Sequence, residues 1–218
     1  MEMRGVIFDL DGVLCHTDHY HYLAWKALAD RLGLPFDERV NDRLRGVSRM
    51  DSLEIVLGLG ERQFTQAEKE QMAEEKNRRY RSFLEQMGPE ALAPGAVDVL
   101  RDLKAQGWKL AVGSSSKNAP LILERTGLEG YFDTVADGSQ ITRSKPDPEV
   151  FLLAARKLNL YPSECIVVED AVAGIQAAKA GRFFAVGIGD AANAPEVDYS
   201  ISALAELPIL CQKLNTAG

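Results

Sequence analysis

From residue 94 onward the sequence alternates short apolar runs of strand type with amphipathic helical stretches, and few folds accommodate that rhythm. The strand segments are 108–112, 132–136, 166–168 and 183–188; the helical ones are 96–106, 118–126, 148–158, 171–180 and 202–214. Such alternation implies βαβ units and a parallel sheet. Right-handed crossovers then place helices on both faces. A first strand, Gly5-Val6-Ile7-Phe8, belongs to the same sheet, yet residues 16–88 carry no strand signal. They read as helices over 20–32, 38–44, 50–57 and 66–87, the last with a sparse apolar stripe of Met72, Tyr80, Phe83, Leu84 and Met87. The expected architecture is α/β: a doubly wound, Rossmann-like parallel-sheet core from residues 1–15 and 89–218, with residues 16–88 inserted as an α-helical cap domain. A length of 218 residues suits one core and one lid rather than two large domains.

In open parallel sheets, ligands bind beyond the carboxyl ends of the strands. Four such ends carry polar residues that make sense together: Asp9 and Asp11, Ser114-Ser115-Ser116, the loop Ser144-Lys145-Pro146-Asp147-Pro148, and Glu169-Asp170. Each has a bland reading. An aspartate after a strand is often a turn residue, and the serines read as a helix N-cap. Lys145-Pro-Asp-Pro reads as a helix start, and Glu169-Asp170 suits the dipole of the helix that follows. Nothing in those readings predicts all four at successive strand ends. Four converging carboxylates need a cation, and hard oxygen ligands favour Mg²⁺. The lysine and the serine turn suit a phosphate group.

Composition removes several alternatives. A net charge of −7 leaves no basic stripe for nucleic acid. No apolar run reaches the ~20 residues that span a bilayer. The opening MEMRGVIFDLDGV lacks a signal-peptide layout. The three cysteines, Cys15, Cys165 and Cys211, are odd in number and widely spaced. A cytoplasmic protein is expected, and nothing demands more than a monomer. The histidines at 16, 19 and 21 fit no zinc spacing. No G-x-x-x-x-G-K-[ST], G-x-G-x-x-G or G-x-S-x-G occurs.

Asp9-Leu10-Asp11-Gly12-Val13, the serine after the next core strand, Lys145-Pro-Asp-Pro, and Glu169-Asp170 followed by Gly174 resemble the four motifs of the haloacid dehalogenase superfamily of phosphotransferases. The resemblance covers the whole chain, helical insertion included. It implies an enzyme in which Asp9 is the nucleophile that forms an aspartyl-phosphate and Asp11 the general acid and base. Mg²⁺ would be held by Asp9, the Asp11 carbonyl and Asp170, with Glu169 in or beside that shell. Ser114 and Lys145 would hold the transferring phosphoryl group.

Within the superfamily, Thr17, His21, Trp25, the run Leu44-Arg45-Gly46-Val47-Ser48-Arg49, Ser52 and Lys76 resemble the cap of the sugar phosphomutases. That implies interconversion of β-glucose 1-phosphate and glucose 6-phosphate through a glucose 1,6-bisphosphate. Arg49 would clamp the distal phosphate, with Ser116, Lys117 and Asn118 on the same group. Thr17, His21, Trp25, Arg45, Gly46, Val47, Ser52, Lys76 and Ser115 complete the expected sugar-phosphate contacts. On pattern alone, the arginines at 39, 43, 45 and 49 are a solvated helix face, and Trp25 with Leu28 and Leu32 is helix core. Arg45 stands where the superfamily commonly has lysine, and His16 where an acidic residue is usual. The rival expectations are a Mg²⁺-dependent sugar-phosphate phosphatase on the same core and a catalytically silent phosphosugar-binding protein.

Overall fold

The computed structural model describes residues 2–216. Met1, Ala217 and Gly218, the outermost residues of the expected core unit, lie outside the described residues. In chain order the elements are β1 (Gly5–Phe8), α1 (Asp18–Leu32), α2 (Glu38–Asp42), α3 (Arg49–Leu57), α4 (Gln66–Leu84), α5 (Ala96–Ala105), β2 (Lys109–Gly113), α6 (Ala119–Thr126), β3 (Thr134–Ala136), α7 (Glu149–Leu158), β4 (Cys165–Glu169), α8 (Val172–Ala180), β5 (Phe184–Gly187), β6 (Tyr199–Ser200) and α9 (Leu207–Thr216). The strands form one sheet in the order β3-β2-β1-β4-β5-β6. Every neighbouring pair is parallel. β1 sits in the middle: Gly5 faces Lys109 on one side and Cys165 on the other.

Side chains alternate across each strand, so one apolar run feeds two cores. Val6 and Phe8 of β1 share a face with Leu110, Val112, Ile166 and Val168, packed with Leu100 of α5, Ile122 of α6 and Leu207 of α9. Ile7, Ala111, Val167 and Ala185 point the other way, against Phe151 and Ala154 of α7 and Ile175 of α8. A third cluster lies within the helical insertion and joins Trp25, Leu28, Leu53, Val56 and Met72. Its helices have local start signals. Ser48 caps α3 by accepting from the Asp51 amide, and Thr65 and Glu68 form a reciprocal capping box on α4.

The chain leaves and re-enters the core side by side. The His16 amide donates to Ala91 O at 3.0 Å, the Ala93 amide to Leu14 O at 2.9 Å, and Cys15 and Leu92 form an antiparallel bridge.

Two elements depart from expectation. β6 has only two exposed residues, with no apolar run to announce it. The last α-helix begins at Leu207 rather than 202, because Glu206 accepts hydrogen bonds from the amides of Ser202 and Ala203 and from the Ser202 hydroxyl. Those bonds hold 202–206 in a tight turn. Among the described residues no helix is long and apolar enough to cross a membrane.

Candidate active site

The strand order changes direction at β1. The chain after β1 continues to β2 on one side, while β3 connects across to β4 on the other, and a crevice opens between their carboxyl ends. Asp9 follows β1 directly, and its amide donates to Val168 O at 2.9 Å. Glu169 closes β4 and Asp170 follows it. Carboxylate oxygens of Asp9, Glu169 and Asp170 lie within 4.8 Å of one another. Lys145 comes from the loop before α7 and ion-pairs with both Asp9 and Glu169, all three side chains being buried. Glu169 also accepts from the Ala171 amide at 3.0 Å.

Two glycines make room for this cluster. A Cβ on Gly12, whose φ is +83°, would fall on the Asp170 carboxylate, and one on Gly174 would fall on that of Glu169.

Crowding buried carboxylates disfavours their charged forms. Burial, with Glu169 nearby, pushes Asp9 up to about 7 against the pull of Lys145. Burial and then Asp9 push Asp11 up to about 7. Burial followed by Glu169 and Asp9 pushes Asp170 up to about 9. Lys145 goes the other way: burial opposes its charge, but Asp9 and Glu169 outweigh it and hold the ammonium protonated. The donor set is all hard oxygen and more acidic than one lysine balances. It fits a divalent cation of the Mg²⁺ or Ca²⁺ type. The Asp11 side chain stands apart from the trio and accepts from the Thr17 hydroxyl.

The crevice widens into a cavity of about 640 Å³ roofed by the helical insertion. From the core it is lined by Ser114, Ser115, Ser116, Lys117 and Asn118, and from the insertion by His21, Trp25, Arg45, Gly46, Val47, Arg49, Ser52 and Lys76. Thr17 is the exception among the expected contacts. It is fully buried and reaches the site through Asp11 rather than by facing the cavity.

The Ser114 hydroxyl accepts from the Ser116 amide at 3.1 Å, and Ser116 accepts from the Asn118 amide at 3.1 Å, so the serine turn is braced from within just ahead of α6 as well as lining the site. Asn118 also bonds Asn77 and Arg81 of α4, tying insertion to core. Lys76 is caged. Its ammonium is 2.9 Å from His21 Nδ1, 4.7 Å over the Trp25 ring and 4.6 Å over that of Tyr80. Burial and then Arg49 push it down to about 7. Burial and then Lys76 push His21 well below its ordinary range, leaving a neutral ring beside Lys76.

Arg45 is committed to protein partners. It pairs with Asp18 at 2.8 Å and with Asp190, in the turn after β5, at 2.9 Å, and lies 4.0 Å from Asp170. Asp18 and Asp190 carry no mark in the sequence, and Tyr80 is marked there only as part of an apolar stripe, not as a site residue. The Asp18, Arg45 and Asp190 segments are far apart in the chain, and no local pattern joins them. Arg81 lies one helical turn after Asn77, a spacing that carried a usable signal.

A family model for haloacid dehalogenase-like hydrolases matches residues 3–182. The chain belongs to that family. This haloacid dehalogenase-like protein is 44% identical over 189 residues to a β-phosphoglucomutase of Bacillus subtilis, covering 86% of this chain and 84% of that one. It is 34% identical over 180 residues to a phosphorylated carbohydrates phosphatase of Thermotoga maritima, covering 81% of each. The solved structure of a β-phosphoglucomutase from Clostridium difficile superposes with a TM-score of 0.92 at 37% identity, covering 99% of this chain and 98% of that one. Mutases and phosphatases thus both occur among its haloacid dehalogenase-like relatives.

Proposed function

We propose that this chain is a β-phosphoglucomutase, an isomerase that interconverts β-D-glucose 1-phosphate and glucose 6-phosphate through an aspartyl-phosphate and β-glucose 1,6-bisphosphate. The observation that carries this reading is a cavity with two differently charged ends. One end holds Asp9, Asp11, Glu169, Asp170 and Lys145. From the insertion the cavity is lined by Arg49, whose guanidinium lies 4.0 Å from Glu74, and by the buried Lys76. A bisphosphate needs a site at each end; a simple phosphatase needs one. The identity to the B. subtilis mutase supports the same reading.

Asp9 attacks the phosphorus of the bound ester, the P–O bond to the sugar breaks, and Asp11 gives its proton to the departing sugar oxygen. Burial keeps Asp11 protonated to about 7, which suits that role. In the return step Asp11 takes the proton from the acceptor hydroxyl. Lys145 and Ser114 hold the phosphoryl oxygens in line. Mg²⁺ held by Asp9, Asp170, the Asp11 carbonyl and neighbouring Glu169 would offset charge on the transferring group. Arg49, with Ser116, Lys117 and Asn118, grips the phosphate that is not reacting. Residues 16–88 act as a cap that swings on the paired linkers and shuts out water, so that the sugar, not water, accepts the phosphoryl group. Every named group comes from one chain, so a monomer suffices.

The deciding experiment supplies β-glucose 1-phosphate, Mg²⁺ and a trace of β-glucose 1,6-bisphosphate. Glucose 6-phosphate is expected to form faster than free phosphate; the reverse ratio makes the protein a sugar-phosphate phosphatase.

A further inference from the structure

A lysine ammonium sealed from water needs a negative partner, and where the protein supplies none the charged form is the costly one. Lys145 has two carboxylates in contact; Lys76 forms no ion pair among the described residues. Its side chain lines the cavity, is buried, and ends against His21 Nδ1 and the faces of Trp25 and Tyr80. Ring faces attract a cation, though less than a carboxylate does. Each packed element adds its own titratable group. α1 brings His21, which is neutral, and α4 itself brings Tyr80, whose hydroxyl burial keeps protonated. α3 brings Arg49, which opposes a second positive charge; the turn after β1 brings Asp11, which favours one but acts more weakly. The core side of the cavity adds Lys117. With burial leading, the balance holds Lys76 down at about 7.

Arg49 is partly buried, and Glu74 lies 4.0 Å from its guanidinium. A phosphate dianion taken up by Arg49 turns that site from net positive to net negative. The repulsion that Lys76 meets from α3 thereby becomes an attraction as the ligand arrives. We propose that Lys76 takes up a proton from solvent when a phosphorylated ligand binds, so that filling the cavity and charging this lysine are one coupled event and affinity weakens in alkali. Nζ gains the proton and the buffer loses it; no covalent bond to the ligand forms or breaks. This rests on the reading of Arg49 as a phosphate clamp, and it requires no direct contact between Lys76 and the ligand.

The test uses full-length, Mg²⁺-loaded protein carrying Asp9→Asn, so that no phosphoryl group is transferred, with and without Lys76→Met. The ligand is β-glucose 1,6-bisphosphate, and calorimetric titration in buffers of different ionisation heat counts the protons taken up. The count with Lys76 minus the count with Lys76→Met is expected to climb from near zero at about pH 6 to about one at about pH 8.5. Over roughly the last pH unit Kd is expected to rise about tenfold in the lysine protein only. A difference near zero throughout overturns the proposal. The ¹³Cε resonance of Lys76 gives a second reading that needs no change at that residue: its midpoint is expected to move up by about one pH unit or more on binding, and a midpoint that stays in place overturns the proposal as well. If glucose 6-phosphate binds as tightly as the bisphosphate, the two-ended reading of the site fails, and the same count taken with glucose 6-phosphate still decides for or against Lys76.

Discussion

Two buried lysines with opposite protonation behaviour line the cavity. Lys145 and Lys76 are almost equally hidden, at 3% and 4% exposed. Lys145 has two carboxylates in contact and stays charged; Lys76 has two aromatic faces, a neutral histidine and a nearby arginine, and is pushed down to about 7. The native value of Lys76 lies below the ordinary 10.5, so between the two the unfolded chain binds a proton that the folded one does not. Stability from this residue therefore rises as pH climbs from about 7, and the full cost of burying the charge is felt below it. Lys76→Met is expected to be more stable than wild type at about pH 6, by several degrees in Tm, with the gap closing towards pH 10, while mutase activity falls at least tenfold. Unfolding curves across that range check the sign. Asp9→Asn removes the proposed nucleophile and is expected to keep the fold while cutting turnover by more than a thousandfold; a variant with native-like activity would remove Asp9 from that role. Lys145 was legible in the sequence because Pro-Asp-Pro follows it at a strand end. Lys76 on a polar helix carries no such mark and was reached through family resemblance alone.

At the level of elements, the short connection between α2 and α3 meets the core at Arg45. That side chain bridges Asp18 of α1 and Asp190 of the core, and the core partner is 77% exposed. An exposed pair of this kind is worth little in free energy and is screened by salt. If the insertion closes over the site as proposed, a pair of this strength would bias that closure. Asp190→Asn is expected to raise KM for the sugar phosphate about 2- to 5-fold at low salt. Moderate salt should raise the wild-type KM to meet it, and a difference that persists undiminished in salt would argue against the bridge. The strands β1, β2, β4 and β5 were readable because each is buried on both faces and thus apolar throughout. β6 and the start of α9 were not, since one rests on two exposed residues and the other on a Glu206 turn. The inserted helices were visible as a block, but how Asn77 and Arg81 meet Asn118 depends on packing that no window of sequence contains.

For the molecule as a whole, acidity is unevenly shared. Residues 16–88 carry 12 basic and 13 acidic side chains, the rest 13 and 19, so the net −7 sits mainly on the core. Part of that excess is the buried trio of Asp9, Glu169 and Asp170, whose crowding a divalent cation relieves only in the folded state. Millimolar Mg²⁺ is therefore expected to raise Tm by a few degrees and a chelator to abolish turnover. In Asp170→Asn the Mg²⁺-dependent rise should largely vanish. A chelated wild type that keeps its activity would contradict the cation site.

The strand order has one more consequence, for how the chain comes to be folded at all. β1 is the third strand across the sheet and carries Asp9, the proposed nucleophile, at its end, yet it emerges before the other strands, and its neighbours begin only at Lys109 and Cys165. During synthesis it waits, wholly apolar, unpaired until β2 is made and paired on one side only until β4 follows. Closing so long a loop adds only slowly to the entropy cost, but it makes assembly late and non-local, and slow folding goes with that. The sheet and the candidate site are thus completed together, and a nascent chain interrupted before residue 165 would lack both the second neighbour of β1 and the Glu169-Asp170 pair.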